Sequence, residues 1–163
     1  MMLSYEIDAQ GFDNRQLVVR EICIDAAETD KAAVKVLKQA FIVIKQLRTH
    51  LSFDGYVKIA KSMPGYRVFC LFDEGKIVSY AGFAECLNLY YGNHIWVYDL
   101  VTDETKRGKG YGKLLLSCVE RYARENMLEC VALSSGLQRT DAHRFYEDVT
   151  GFDKVSYVFK KDV

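Results

Sequence analysis

A chain of 163 residues has room for one ordinary domain and too little for two, and half of its residues are hydrophobic, which excludes a disordered polymer. Its 22 Lys and Arg balance its 22 Asp and Glu, so it lacks the basic excess of a nucleic-acid binder and no nucleic-acid partner is expected. Five cysteines without a C-x-x-C pair offer neither a zinc site nor a redox motif. Each lies in an apolar run, which predicts small buried hydrophobes in a reducing cytoplasm. The start, M-M-L-S-Y-E-I-D, is acidic and no signal peptide, and no apolar run is long enough for a membrane span.

In chain order, a short lead-in ends near Gly11, and residues 16–24 (Q-L-V-V-R-E-I-C-I) read as a strand. Thr29 or Asp30 can cap a helix carrying Ala33, Val34, Leu37, Ala40, Phe41, Ile44 and Leu47 on one apolar stripe. A second helix over 53–62 must stop near Met63, because Pro64 disfavours helical geometry in the residue before it. Strands over 66–72 and 76–87 flank the turn D-E-G, and a third β-prone run covers 94–102. A glycine-rich turn then leads into a helix to about Asn126, with Tyr111, Leu114, Leu115, Cys118, Val119 and Tyr122 on its buried face. A short strand over 130–134, a helix over 141–148 and a closing strand over 152–160 complete an α/β order of helices covering a sheet.

The most informative stretch is D-E-T-K-R-G-K-G-Y-G-K, residues 103–113. Gly108, Gly110 and Gly112 remove the Cβ atoms that would keep a ligand off the backbone. The free N–H groups at a helix start, at the positive end of its dipole, suit a phosphate. Arg107, Lys109 and Lys113 add positive charge. A mononucleotide loop of the G-x-x-x-x-G-K-[ST] type is excluded, since position 107 is Arg and position 114 is Leu. A dinucleotide G-x-G-x-x-G is excluded by Lys113 and by the absence of an acidic residue after the next strand.

What does match is R-x-x-G-x-G, as Arg107, Gly110 and Gly112, and with A-H-R-F-Y-E-D-V-T-G-F over 142–152 it resembles the GNAT superfamily of acetyl-CoA-dependent N-acetyltransferases. The resemblance runs from about Tyr66 to Lys160. It implies a single domain over residues 1–163, with a mixed, mostly antiparallel sheet of six to seven strands flanked by helices. The sheet would splay between the two strands that hold acetyl-CoA. It further implies acetyl transfer from acetyl-CoA to a primary amine of a small molecule or peptide by direct attack, without a metal. A non-catalytic acyl-CoA-binding regulatory protein is the alternative. The oligomeric state stays open, a homodimer included.

On the same resemblance, residues 107–113 (Arg107, Gly108, Lys109, Gly110, Tyr111, Gly112, Lys113) cradle the coenzyme A pyrophosphate. Leu100 and Val101 offer backbone groups to the pantetheine arm, the Val101 N–H facing the oxyanion, while Ser134 and Ser135 line the opposite side. Tyr146 matches the tyrosine that protonates the departing thiolate, a role open to a phenol of pKa near 10. Asp99 is the candidate to receive the amine proton, directly or through water, or to hold a loop or the acceptor, with Glu85 a weaker substitute. Many relatives have Glu one position earlier, where this chain has Tyr98. Arg139 stands where many relatives have Asn and is a candidate for a coenzyme A phosphate, and His143 for the adenine end. One extra residue between Tyr146 and Gly151 predicts a bulge or longer turn. The acceptor is expected between 45–64 and 80–99, in an aromatic, acidic pocket of Phe53, Tyr56, Trp96 and Tyr98 with Asp54, Glu85 and Asp99.

Overall fold

The computed structural model describes residues 4–6, by backbone alone, and residues 16–25 and 30–163. Apart from residues 4–6, the lead-in to Gly11 lies outside the described residues, as does a cap at Thr29. The chain divides into two compact units, 1–132 and 133–163.

In the first unit, antiparallel ladders join five strands in sequence order: β1 (Ser4–Glu6), β2 (Leu17–Glu21), β3 (Arg67–Asp73), β4 (Lys76–Asn88) and β5 (Gly92–Thr102). The two-residue turn between β3 and β4 holds Glu74 at φ 50° and Gly75 at φ 78°. Positive φ at both positions matches the right-handed twist of the flanking strands.

Helix α1 (Lys31–Lys45) begins at Asp30, whose side chain accepts from the Ala32 N–H at 2.8 Å. Helix α2 (Phe53–Ser62) is capped by Ser52 and ends at Met63, which is extended as Pro64 requires. Helix α3 (Tyr111–Glu125) follows the glycine turn.

Alternation along β3 sorts the core. Val68, Cys70 and Phe72 join Leu37, Ala40, Val43 and Ile44 of α1 and Tyr56 and Ala60 of α2 on one face. Phe69 turns to the other face, edge-on to Phe83 of β4 and Tyr122 of α3. On α3, Leu116 and Ala123 belong to the buried face beside the expected residues, whereas Leu114 is only half-buried.

Residues 130–133 form a short strand, β6 (Cys130–Leu133), next to β5 in the strand order. The second unit, described by itself, holds α4 (Thr140–Arg144), which continues into one π-helical turn, Phe145–Val149. There the Thr150 N–H reaches back five residues to the Phe145 carbonyl at 3.1 Å. That turn accommodates the extra residue between Tyr146 and Gly151, the bulge that the motif spacing predicts.

The antiparallel ladders join five strands, short of the six to seven expected even though the short β6 lies next to β5, and the closing strand is not formed. Residues 152–160 contain no strand, and Val155, Tyr157, Val158 and Phe159 in this stretch are exposed. Their β-prone composition describes side chains that suit a pleated surface, but a strand also needs a neighbouring backbone to pair with. The cysteines are corrected as well: Cys70 and Cys118 are buried, Cys86 and Cys130 are half-buried, and Cys23 is exposed at the end of its apolar run. Among the described residues, no helix is long and apolar enough to cross a membrane.

Leu37 is 1 % exposed at the centre of the α1 face. Leu37→Ala is expected to cost about 3 kcal/mol of unfolding free energy in a urea titration, through lost transfer energy and the cavity left behind.

Candidate active site

The glycine turn begins with a 3-10 turn, Glu104–Lys106, whose cap Asp103 accepts from the Thr105 N–H and hydroxyl. These bonds, with a third from Gln46, hold the Asp103 carboxyl below its ordinary pKa. Gly108 and Gly110 take φ of 76° and 80°, a left-handed geometry that side-chain-bearing residues rarely adopt.

Gly110 is the N-cap of α3 and brings no side chain to cap it. The Leu114 N–H bonds to the Gly110 carbonyl, so the amides of Tyr111, Gly112 and Lys113 precede the first intrahelical bond and have no intrahelical acceptor. Arg107, Lys109 and Lys113 are exposed around this helix end. Tyr111 contributes only its backbone to the turn. Its ring is 1 % exposed, and its hydroxyl donates to Asp73 Oδ2 at 2.7 Å, pinning the helix start to β3.

Asp99 sits at a bulge: Gly82 pairs with Asp99 but Phe83 pairs with Val97, so Tyr98 is the extra residue in β5. Asp99 Oδ1 accepts from Arg48 Nε at 2.7 Å, and Oδ2 accepts from the Tyr66 hydroxyl at 2.9 Å. Arg48 also donates to the Tyr98 carbonyl at 2.9 Å, gripping the bulge from both sides. An ionised carboxylate has about four acceptor positions, so these two bonds leave Asp99 able to receive another proton donor.

Two residues before Arg48, Gln46 clasps the turn: its amide donates to Asp103 Oδ2 at 3.0 Å and accepts from the Glu104 N–H at 2.9 Å. The C-terminal end of α1 thus fixes both the bulge and the start of the glycine turn. No sequence signal marked Gln46, Arg48 or Tyr66, because their partners lie 33 to 58 residues away.

The register also decides which amides of β5 face outward. The Asp103 N–H bonds to the Val78 carbonyl, making 78 and 103 a hydrogen-bonded pair. Alternation then makes Tyr80 and Val101 the next such pair. The Val101 N–H therefore points toward β4, and the amide directed away from β4 belongs to Leu100. On that outer side the Glu129 N–H bonds to the Asn93 carbonyl at 2.7 Å, and a four-residue strand beginning there is too short to reach Leu100.

The expected acceptor pocket is not brought together. Glu85 accepts from the Tyr122 hydroxyl on the α3 face, whereas Asp99 lies on the α1 face. The sheet separates them. Tyr56 is core, 4 % exposed and bonded to the Tyr80 hydroxyl at 3.1 Å, and Phe53 packs edge-on to Phe41. A cleft of about 490 Å³ does open beside Tyr66, lined by Glu21, Cys23, Asp25, Lys61 and Arg67 among others.

In the second unit, Tyr146 packs between Phe145 and Phe152, and burial raises its phenol pKa against the opposing pull of Arg139. Arg139 is exposed at the start of α4. His143 Nε2 is 2.9 Å from the Gly136 carbonyl and ties α4 to the preceding loop. The Ser135 hydroxyl oxygen is buried without a hydrogen-bond partner among the described residues. No group of three metal-ligating side chains gathers among the described residues.

The site thus sets a glycine turn at the uncapped head of a helix beside a bulged strand that carries a carboxylate. The acetyltransferase (GNAT) family model matches residues 31–152, and the chain belongs to that family and is an acetyltransferase. It is 39% identical over 128 residues to the uncharacterized N-acetyltransferase YhdJ of Bacillus subtilis (strain 168), covering 77% of this chain and 90% of that protein. Among solved structures it is similar to the aminoglycoside N-acetyltransferase AAC(6')-Iy in complex with CoA, with a TM-score of 0.73, 12% identity and coverage of 91% and 96%. It is also similar to a ribosomal-protein-alanine N-acetyltransferase from Brucella melitensis biovar Abortus 2308, with a TM-score of 0.64, 16% identity and coverage of 89% and 99%. At those identities the two structures share the fold with this chain.

Gln46→Ala removes both bonds of the clasp. Hydrogen exchange at the Glu104 amide is expected to quicken, with a loss of about 1 to 2 kcal/mol in global stability by denaturant titration.

Proposed function

We propose that this chain moves an acetyl group from acetyl-CoA to a primary amine of a small molecule or peptide by direct attack of the amine, with no covalent enzyme intermediate. The observation that carries this reading is the uncapped start of α3, with Gly108 and Gly110 in left-handed geometry and three cations around it. These residues fit a diphosphate: successive amides point at the anion and no Cβ at position 110 blocks its approach. The family match spans both compact units, which supports reading the whole chain as one acetyltransferase domain.

When bound, acetyl-CoA supplies a thioester carbonyl already activated for transfer. The amides of residues 107–113 anchor the diphosphate, with Arg107, Lys109 and Lys113 adding charge. Leu100 presents backbone groups to the arm, and its outward N–H is the one aimed to stabilise negative charge on the carbonyl oxygen. Arg139 and His143 stand as further contacts to the coenzyme. An amine is mostly protonated at neutral pH, and Asp99 takes its proton directly or through water. Tyr146, kept protonated by burial, gives its proton to the leaving thiolate.

Two proteins of similar fold are an aminoglycoside N-acetyltransferase and a ribosomal-protein-alanine N-acetyltransferase, so the fold alone does not set the amine's identity.

Calorimetric titration with CoA tests the first step. The wild type is expected to bind, and Gly110→Ala to bind at least tenfold more weakly, because alanine at φ 80° strains the cap. No heat with either CoA or acetyl-CoA on the wild type would overturn the reading.

Thiol release with acetyl-CoA and a panel of amines tests the chemistry. Tyr146→Phe and Asp99→Asn are each expected to lower kcat by about 10²-fold while CoA affinity stays within a factor of three.

A further inference from the structure

We infer that Tyr66, seated over Gly82, is a positioning residue that fixes the orientation of Asp99. The inference rests on the reading of Asp99 as the group that receives the amine's proton.

Tyr66 follows Gly65 in the turn between α2 and β3, its N–H bonded to the Met63 carbonyl at 3.2 Å. From there its ring crosses β4 to reach β5. A Cβ built on Gly82 would lie 1.9 Å from the Tyr66 hydroxyl oxygen and 2.6 Å from Cζ. Only glycine leaves room for the phenol at that point of β4, and Gly82 is the residue paired with Asp99. The missing side chain opens the path by which Tyr66 of the α2–β3 turn touches the bulge.

The hydroxyls around Asp99 have a direction. The Tyr66 hydroxyl has one hydrogen and gives it to Asp99 Oδ2. Tyr80, 3.0 Å away, must then donate to Tyr66, and Tyr56, 3.1 Å from Tyr80, must donate to Tyr80. Three phenols thus point one way and end on the carboxylate, each polarising the next. Burial is the largest cause that keeps all three phenols protonated far above neutral pH, so the chain of donors persists wherever the enzyme works.

Among the described residues, Arg48 and Tyr98 also face this side of Asp99. Arg48 holds Oδ1 but is 43 % exposed on its side chain, so solvent and salt weaken its hold. The Tyr98 ring leans on that of Tyr66 at 6.0 Å between centroids. Tyr66 is the drier and more rigid of the two partners that bond the carboxylate directly.

A hydroxyl bonded to one carboxylate oxygen holds the carboxyl group in one orientation. In Tyr66→Phe the 13C chemical shift of the Asp99 carboxyl carbon at neutral pH, read by NMR on the full chain without acetyl-CoA, is expected to move from its wild-type position. In the same variant kcat should fall about tenfold while KM for acetyl-CoA is unchanged. Gly82→Ala should reproduce both effects by pushing the phenol aside, and Tyr66→Phe carries the test alone if Gly82→Ala does not fold. An unmoved Asp99 signal in Tyr66→Phe overturns the inference. Full turnover in Asp99→Asn instead overturns the reading of Asp99 as proton acceptor, and a moved signal then still upholds the Tyr66–Asp99 coupling.

Discussion

One additional residue in β5, Tyr98 opposite Gly82, decides which side chains and which amides the far end of that strand offers. On its near side Val97 pairs with Phe83 and shares the face that packs under Tyr122. Beyond it, Asp99 and Val101 turn to the face covered by α1 and α2, and the Leu100 amide turns away from β4. A regular strand would carry Val97 and Asp99 on the same face, with either a charge in the α3 core or an apolar side chain at the Arg48 site. The bulge lets a continuous β5 serve the core at one end and present a carboxylate at the other.

Holding a bulge in one geometry takes contacts from outside the sheet, and the C-terminal end of α1 supplies them. Arg48 bonds both the Asp99 carboxylate and the Tyr98 carbonyl, and Gln46 bonds both Asp103 and the Glu104 amide. Six residues of β5 and the following turn, 99–104, are thereby bracketed by two side chains of one short segment. On the other side Tyr111 anchors the start of α3 to Asp73. The glycines of the turn give up conformational order in isolation, and these tethers at its two ends restore it without placing side chains in the cradle.

The interior phenols show how a polar group can be carried in a core. Tyr56 and Tyr80 are 4 % and 0 % exposed, yet each hydroxyl is bonded to another. A broken link would leave a buried hydroxyl unsatisfied, at a cost of about 1 to 3 kcal/mol. The arrangement therefore rewards the one packing of α2 against β4 that completes it.

Much of this was legible in the residues. Asp30, the alternating runs of β3 to β5, the stop forced by Pro64 and the glycine turn are local signals, read within a few positions, and they located the helices, the main strands and the candidate cradle. The spacing after Tyr146 announced a bulge or longer turn, which the structure makes as a π-turn. What the residues could not settle depends on register and on partners distant in the chain. Alternation within β5 said that Val101 and Leu100 differ, but only the pairing with β4 says which amide faces out. Composition placed Glu85 and Asp99 in one pocket, and the sheet put them on opposite faces. Residues 152–160 have the side chains of a strand but no strand, because a ladder is a property of two backbones. The sequence by itself determined the elements and the chemistry of the turn; the tertiary structure decided which carboxylate is held, by which guanidinium and phenol, since those contacts close over tens of residues that no local pattern spans.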